Sequence, residues 1–140
     1  FYNHMQLAGK KVPVLCGMGE FYFAIEALFG CPGFISGMAN YAPEIPLKLL
    51  EAAKKRDFGK VMEIIEKLRP LEEFHGKVAV AHAPACTEIG GPDTYMYISI
   101  MKEAMNLVGL KGGVPRLPLL SISEAEKKEL DEALKRIGVK

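Results

Sequence analysis

The sequence predicts an α/β fold in which two parallel strands end side by side. Val12-Pro13-Val14-Leu15-Cys16-Gly17-Met18-Gly19-Glu20 and Gly33-Phe34-Ile35-Ser36-Gly37-Met38-Ala39-Asn40 are each an apolar run that stops at small or polar residues and passes into a helical segment. One short helical stretch separates them, so residues 12–36 read as a βαβ unit, right-handed by the rule for parallel crossovers. In barrels and open α/β sheets such strands deliver their carboxyl ends to the ligand site. From Pro43 onward the apolar pattern turns helical. The order is strand, helix, strand and then four helices, a piece of sheet followed by a helical block.

Each element has its own local reason. Residues 1–7 have mixed polarity and read as the tail of a helix. Pro13 removes one ladder donor, which suits a strand start or an irregular edge. Residues 20–29 hold Phe21, Phe23, Ala24, Ile25, Ala27 and Leu28. They are apolar on every side, which predicts a covered crossover helix stopped by Gly30. After Pro43, Ile45, Leu49, Leu50 and Ala53 share one side of a helix, with Lys48, Glu51 and Lys55 on the other. Asp57 can cap the next helix, in which Phe58, Val61, Ile65, Leu68 and Leu71 recur at three- and four-residue steps. Pro70 should kink or restart it.

Residues 77–92 are rich in small side chains and fit either a loop or a helix. Residues 97–108 form a helix with Ile98, Met101, Met105 and Val108 along one face. Residues 109–120 are a connection punctuated by Gly and Pro. Ser123-Glu124-Ala125-Glu126 is a capping box, in which hydroxyl and carboxylate satisfy each other's orphan amides. Leu130, Ala133, Leu134 and Ile137 supply the buried stripe behind it, and Gly138 closes the helix.

Composition narrows the function classes. With 140 residues, 49% of them hydrophobic, a compact chain buries roughly 68–70% of its unfolded surface. A net charge of +1 with 25% charged residues signals neither a nucleic-acid surface nor an acidic tail. Cys16, Cys31 and Cys86 form no CxxC pair and leave an odd count, which fits a reduced, cytoplasmic setting. No apolar run approaches the roughly 20 residues that cross a bilayer, so no membrane partner is expected. The sequence opens at Phe1 rather than an initiator Met, and the expectation is a piece of a longer chain.

The chemistry candidates cluster at the two strand ends. Glycines at Gly17 and Gly19 let a ligand approach the backbone, and amides at a helix start favour an anion. A dinucleotide fingerprint would need a small residue where Tyr22 stands. Glu20 in the first turn suits the helix dipole but repels a phosphate. The loop therefore serves either as a plain cap or as contact for a hydroxyl- or carbonyl-bearing substrate, with Glu20 as acceptor. Ser36 and Asn40, beside Gly33 and Gly37, are turn devices or a pocket wall. Cys16, in an apolar run with no nearby His, reads as a buried structural thiol. His4, His75 and His82 have no spacing that pairs them with Cys or acidic ligands, so no metal is expected.

These residues resemble the dihydrodipicolinate synthase and N-acetylneuraminate lyase family, Schiff-base enzymes built as (β/α)₈ barrels with extra C-terminal helices. Residues 14–20 are similar to the seventh strand and its loop, and residues 33–40 to the eighth strand. Pro43, the Leu68-Arg69-Pro70-Leu71 turn, Met101-Lys102-Glu103-Ala104 and Pro115-Arg116-Leu117-Pro118-Leu119 follow in family order. The implied fold class is α/β, the C-terminal portion of a TIM barrel (its last two strands) plus a helical block. Residues 1–74 would supply the last two βα units and residues 75–140 the helical extension.

Carried over, Ile35 matches the position whose carbonyl approaches the pyruvate moiety. Gly17, Gly19 and Glu20 match the loop that, in the sialic-acid lyase branch, contacts the hydroxylated part of the substrate, with Ser36 and Gly37 beside them. Gly19 stands where both branches commonly have aspartate, and Gly37 where a serine helps. The family's Schiff-base lysine and proton-shuttling tyrosine would fall before Phe1, since Lys10 and Lys11 precede the wrong strand. No catalytic residue is therefore assigned within the chain, and no cofactor is implied.

The implied function is the C-terminal part of a 2-keto-acid lyase, aldolase or dehydratase. Its partners would be a pyruvate-type substrate, the remaining N-terminal barrel half and further subunits of a homo-oligomer, with no nucleic acid. The alternatives are a non-catalytic truncated or split barrel module acting in assembly or binding, and a free-standing anion-binding module. Two parallel strands alone leave unpaired edges and an open apolar face, so an isolated segment is expected to associate with itself.

Overall fold

The structure, a computed structural model, describes residues 1–82 and 92–140. Its helices are α1 (Tyr2–Ala8), α2 (Gly19–Glu26), α3 (Glu44–Lys54), α4 (Phe58–Ala81), α5 (Pro92–Leu107) and α6 (Glu124–Arg136). Short 3₁₀ turns occupy Ala27–Phe29 and Met38–Asn40. The chain divides into two compact units, Phe1–Glu66 and Lys67–Lys140, with the division inside α4. Part of residues 77–92, for which loop and helix stood equal, lies outside the described residues; its start, through Ala81, is helical.

In the first unit the two predicted strands are parallel neighbours, joined by a bridge between Cys16 and Phe34. The Cys16 N–H donates to the Gly33 carbonyl at 3.0 Å, and the Ile35 N–H donates to the Cys16 carbonyl at 2.9 Å. The expected longer strands are not formed among the described residues. Pro13 has no N–H to offer a ladder. Just before it, the N–H groups of Lys11 and Val12 turn back to the Ala8 carbonyl at 2.8 and 3.0 Å.

Helix α2 seals one side of this bridge. Phe23 is fully buried and stacks on Phe34, with ring centroids 4.3 Å apart and planes at 19°. Cys16, Cys31, Leu49, Ala52 and Val61 complete the cluster. Burial of a Phe side chain contributes about 1.5–3 kcal/mol. The expectation that α2 is covered all round is corrected: Tyr22 and Ile25 are 53% and 61% exposed. Composition alone could not show that only the Phe23 face has a partner. Gly30 ends the segment in the left-handed region at φ 85°.

Asp57 caps α4 as expected, its Oδ1 accepting from the Lys60 N–H at 2.9 Å. Helix α4 then continues through Pro70 as one helix, which corrects the expected restart or turn at residues 68–71. Proline removes one hydrogen bond of the ladder. The buried stripe of Val61, Leu68, Leu71, Phe74 and Val78 continues on both sides of it, and that packing outweighs one lost bond.

In the second unit the capping box of α6 is present in both directions. Ser123 Oγ accepts from the Glu126 N–H at 3.3 Å, and the Ser123 N–H donates to Glu126 Oε2 at 2.6 Å. Leu130, Leu134 and Ile137 are fully buried and Ala133 nearly so. The face expected for α5 is corrected. Met96, Ile100 and Ala104 are buried together with Ser99, while Ile98, Met101, Met105 and Val108 are only partly covered. Ser99 Oγ donates to the Leu120 carbonyl at 2.5 Å. That bond lets a hydroxyl sit inside the packed face at little cost. A Cβ at Gly112 would stand 2.1 Å from the Lys102 carbonyl oxygen, so the backbone passes α5 too closely for any other residue.

Candidate functional site

Both predicted strand ends leave the bridge on the same side, because the pairing is parallel. After Cys16 the chain continues as Gly17-Met18 and enters α2 at Gly19, whose φ of 79° lies in the left-handed region that glycine tolerates. After Phe34 it continues as Ile35-Ser36 into the 3₁₀ turn. This places Glu20 and Ser36 together: the Ser36 hydroxyl donates to Glu20 Oε1. Sixteen residues separate the pair in sequence, and only the parallel register brings them into contact.

The surroundings of the pair differ on its two sides. Glu20 is 9% exposed, although it is the acidic residue of the first turn of α2. Gly17 and Gly19 meet open space, with no heavy atom within 4 Å of where a Cβ would stand. Ile35 is 65% exposed, although its neighbour Phe34 stacks on the buried Phe23. Ser36 Oγ also accepts the Ala39 N–H at 3.0 Å, and the Gly37 carbonyl accepts from Asn40 Nδ2 at 3.0 Å. Asn40 thus serves its own turn, whereas Ser36 serves both its turn and Glu20. The contact between the two strand ends is that of Glu20 with Ser36; Gly19, Ile35 and Gly37 adjoin these two in the chain, and Gly17 follows the bridged Cys16.

Beneath the pair lie two thiols. The Cys16 thiol donates to the Gly19 carbonyl at 3.8 Å and accepts the Met18 N–H at 3.5 Å. The Cys31 thiol donates to the Gly33 carbonyl at 3.1 Å. Burial pushes the Cys16 thiol up to about 11, and the nearby Glu26 adds to the rise. A thiol held protonated in this way is a packing and hydrogen-bonding group rather than a nucleophile. Glu26 escaped the sequence reading. One of its carboxylate oxygens is buried without a hydrogen-bond partner among the described residues. Its position in an apolar stretch, one turn past Tyr22, was the available signal.

Chemically, the arrangement offers a carboxylate with one oxygen engaged by a hydroxyl and open backbone at two glycines beside it. Such a carboxylate can accept hydrogen bonds from hydroxyl or N–H groups of a small molecule, and the open glycine backbone leaves room for one to approach. It contains no lysine. Among the described residues no group of His, Cys, Asp and Glu is arranged to hold a metal ion, and no helix is long and apolar enough to cross a membrane.

Comparison with known proteins gives a consistent result. A model of the dihydrodipicolinate synthetase family matches residues 1–137. The 4-hydroxy-tetrahydrodipicolinate synthases of Methanococcus vannielii and Methanocaldococcus jannaschii are similar to this chain, at 32% and 33% identity over 133 residues. Each match covers 92% of this chain and 38% of the relative. The crystal structure of dihydrodipicolinate synthase from Oceanobacillus iheyensis is similar over 100% of this chain and 44% of its own, with a TM-score of 0.75 at 26% identity. The chain spans about two-fifths of the length of the curated relatives it matches.

Proposed function

The chain belongs to the dihydrodipicolinate synthetase family, and from that premise we propose that it is the C-terminal part of a Schiff-base-forming 2-keto-acid lyase, aldolase or dehydratase. Residues 1–74 act as the last two βα units of a (β/α)₈ barrel, and residues 75–140 as its helical extension. The observation that carries the reading is the Ser36-to-Glu20 hydrogen bond at two parallel strand ends. It supports placing the substrate against Gly17, Gly19, Glu20, Ile35, Ser36 and Gly37.

In this reading a lysine amine from the rest of the barrel condenses with the keto group of a pyruvate-type substrate. The iminium that results stabilises the adjacent carbanion. The residues of this chain bind and orient rather than react. The Ile35 carbonyl faces the keto-acid end. The free lone pairs of Glu20 accept hydroxyls of the second substrate part, and Ser36 holds that carboxylate in place. Gly17 and Gly19 leave room for close approach. The setting is the cytoplasm, and subunits associate.

Borohydride reduction in the presence of pyruvate tests this. A protein that joins this chain to the remaining length of the family fold should gain the mass of one reduced pyruvate adduct, on a lysine outside residues 1–140. The 140-residue chain alone should gain none. An adduct on Lys10 or Lys11 would overturn the assignment of the amine. The absence of any adduct on the joined protein would favour the non-catalytic barrel module.

A further inference from the structure

Helix α2 buries a carboxylate oxygen on the side that faces the bridge. Glu26 follows Phe23 by three residues, so the two lie on one side of the helix. Phe23 stacks on Phe34, and the Glu26 carboxylate stands beside the thiol of Cys16, the residue bridged to Phe34. Glu26 Oε2 is buried there with no hydrogen-bond partner among the described residues. The neighbouring protons are already engaged. The Cys31 thiol donates to the Gly33 carbonyl at 3.1 Å, and the single proton of the Cys16 thiol serves the Gly19 carbonyl and Glu26. A thiol is in any case a weak donor. The helix adds a second cost. Glu26 is the last residue of α2, where the end of the dipole repels an anion, and no basic residue stands in that last turn.

A carboxylate oxygen taken out of water without a donor is costly, and a cation with good geometry is what offsets it. This chain holds no such cation for Glu26. None of the described residues reaches Oε2, and residues 83–95 contain no Lys or Arg. The chain spans about two-fifths of the length of its curated relatives, so most of a barrel lies outside it. We propose that Glu26 is a docking carboxylate whose Oε2 receives a cationic side chain from the length of the barrel outside these 140 residues. Arginine fits best, since its guanidinium is the more weakly hydrated cation and its fork suits a carboxylate. Glu26 lies six residues beyond Glu20, about 9 Å along the helix, so this contact is separate from the substrate wall. The inference rests on the barrel reading of residues 1–74 and is independent of the lyase chemistry.

The test is equilibrium unfolding of Glu26→Met, which removes the charge and fills a similar volume. In the joined protein of the borohydride test, the variant should raise the ratio of unfolded to folded protein by about a hundredfold or more, because it strands a buried cation. In the 140-residue chain it should leave that ratio within about twofold or lower it, since only an orphaned oxygen is lost there. Changing each Arg and Lys of the added length to Met in turn should find one position with a matching loss. The double variant with Glu26→Met should then recover most of the stability, because neither charge is left alone. That recovery reads the pair even where a single variant fails to fold. A joined protein indifferent to Glu26→Met would overturn the inference. So would an equal loss in the 140-residue chain, or a loss that no Arg or Lys change restores, since the partner would then be no cation of the added length. A pyruvate adduct without an effect of Glu26→Met removes this inference and spares the lyase reading; the effect without an adduct does the reverse.

Discussion

Helix α6 holds its own ends and buries its own stripe. Ser123 and Glu126 exchange hydrogen bonds at its N-terminus, Lys135 pairs with Asp131 and Glu132 near its C-terminus, and Leu130, Leu134 and Ile137 are sealed. Helix α2 does none of this. Met18 offers no capping side chain, its first turn holds a glycine at positive φ, and two of its apolar side chains stand in solvent. Phe23 against Phe34 holds it in place. The difference teaches how each helix is held: α6 by chemistry local to its own ends, and α2, which starts at the end of the first strand, by a contact across the bridge.

The largest expected effect breaks that dependence directly. Phe23→Ala should cost about 3–5 kcal/mol. Native-state hydrogen exchange should then show the Cys16 and Ile35 amides losing protection while α6 amides keep theirs. Equal loss in both regions would contradict the contrast. The reciprocal change, Leu134→Ala, should cost about 2–5 kcal/mol and spare the bridge amides.

Gly112→Ala should destabilise the second unit by about 1–3 kcal/mol, since the new methyl meets backbone that cannot move aside. Ser123→Ala, which removes a purely local device, should cost about 1 kcal/mol, and thermal unfolding measures it.

The smallest effect is a pH dependence. Burial opposes the Glu126 carboxylate, but the hydrogen bonds from Ser123 and His82 outweigh it and hold its pKa below the ordinary glutamate value. A depressed carboxylate contributes stability that is present above the unfolded pKa and is lost as pH falls through the folded one. Exchange protection of α6 should therefore decline on acidification from the ordinary glutamate range downward. Ser123→Ala should flatten that decline.

Legibility in the sequence followed the range of the interaction. The Asp57 cap and the Ser123 box are contacts over three residues, so identity and spacing specified them. The Leu130–Ile137 stripe was legible because its other side is charged. The face of α5 was misphased because Met96, Ile98, Ile100, Met101 and Met105 nearly encircle it, and only the packing around Ala104 chooses among them. Pro70 was read by its local cost, which the stripe of α4 overrides. At the site, the residue types and the parallel adjacency were legible from the two strand ends. The Ser36–Glu20 bond was not, because it depends on the register between Cys16 and Phe34, and neither was the one-sided packing of α2.

The most direct measurement is a double-mutant cycle on that pair. Glu20→Ala, Ser36→Ala and the double variant should show a coupling of about 1.5–3 kcal/mol, the worth of a hydrogen bond to a charged group. Strictly additive losses would mean that the two strand ends do not share one wall, and the proposed site would go with them.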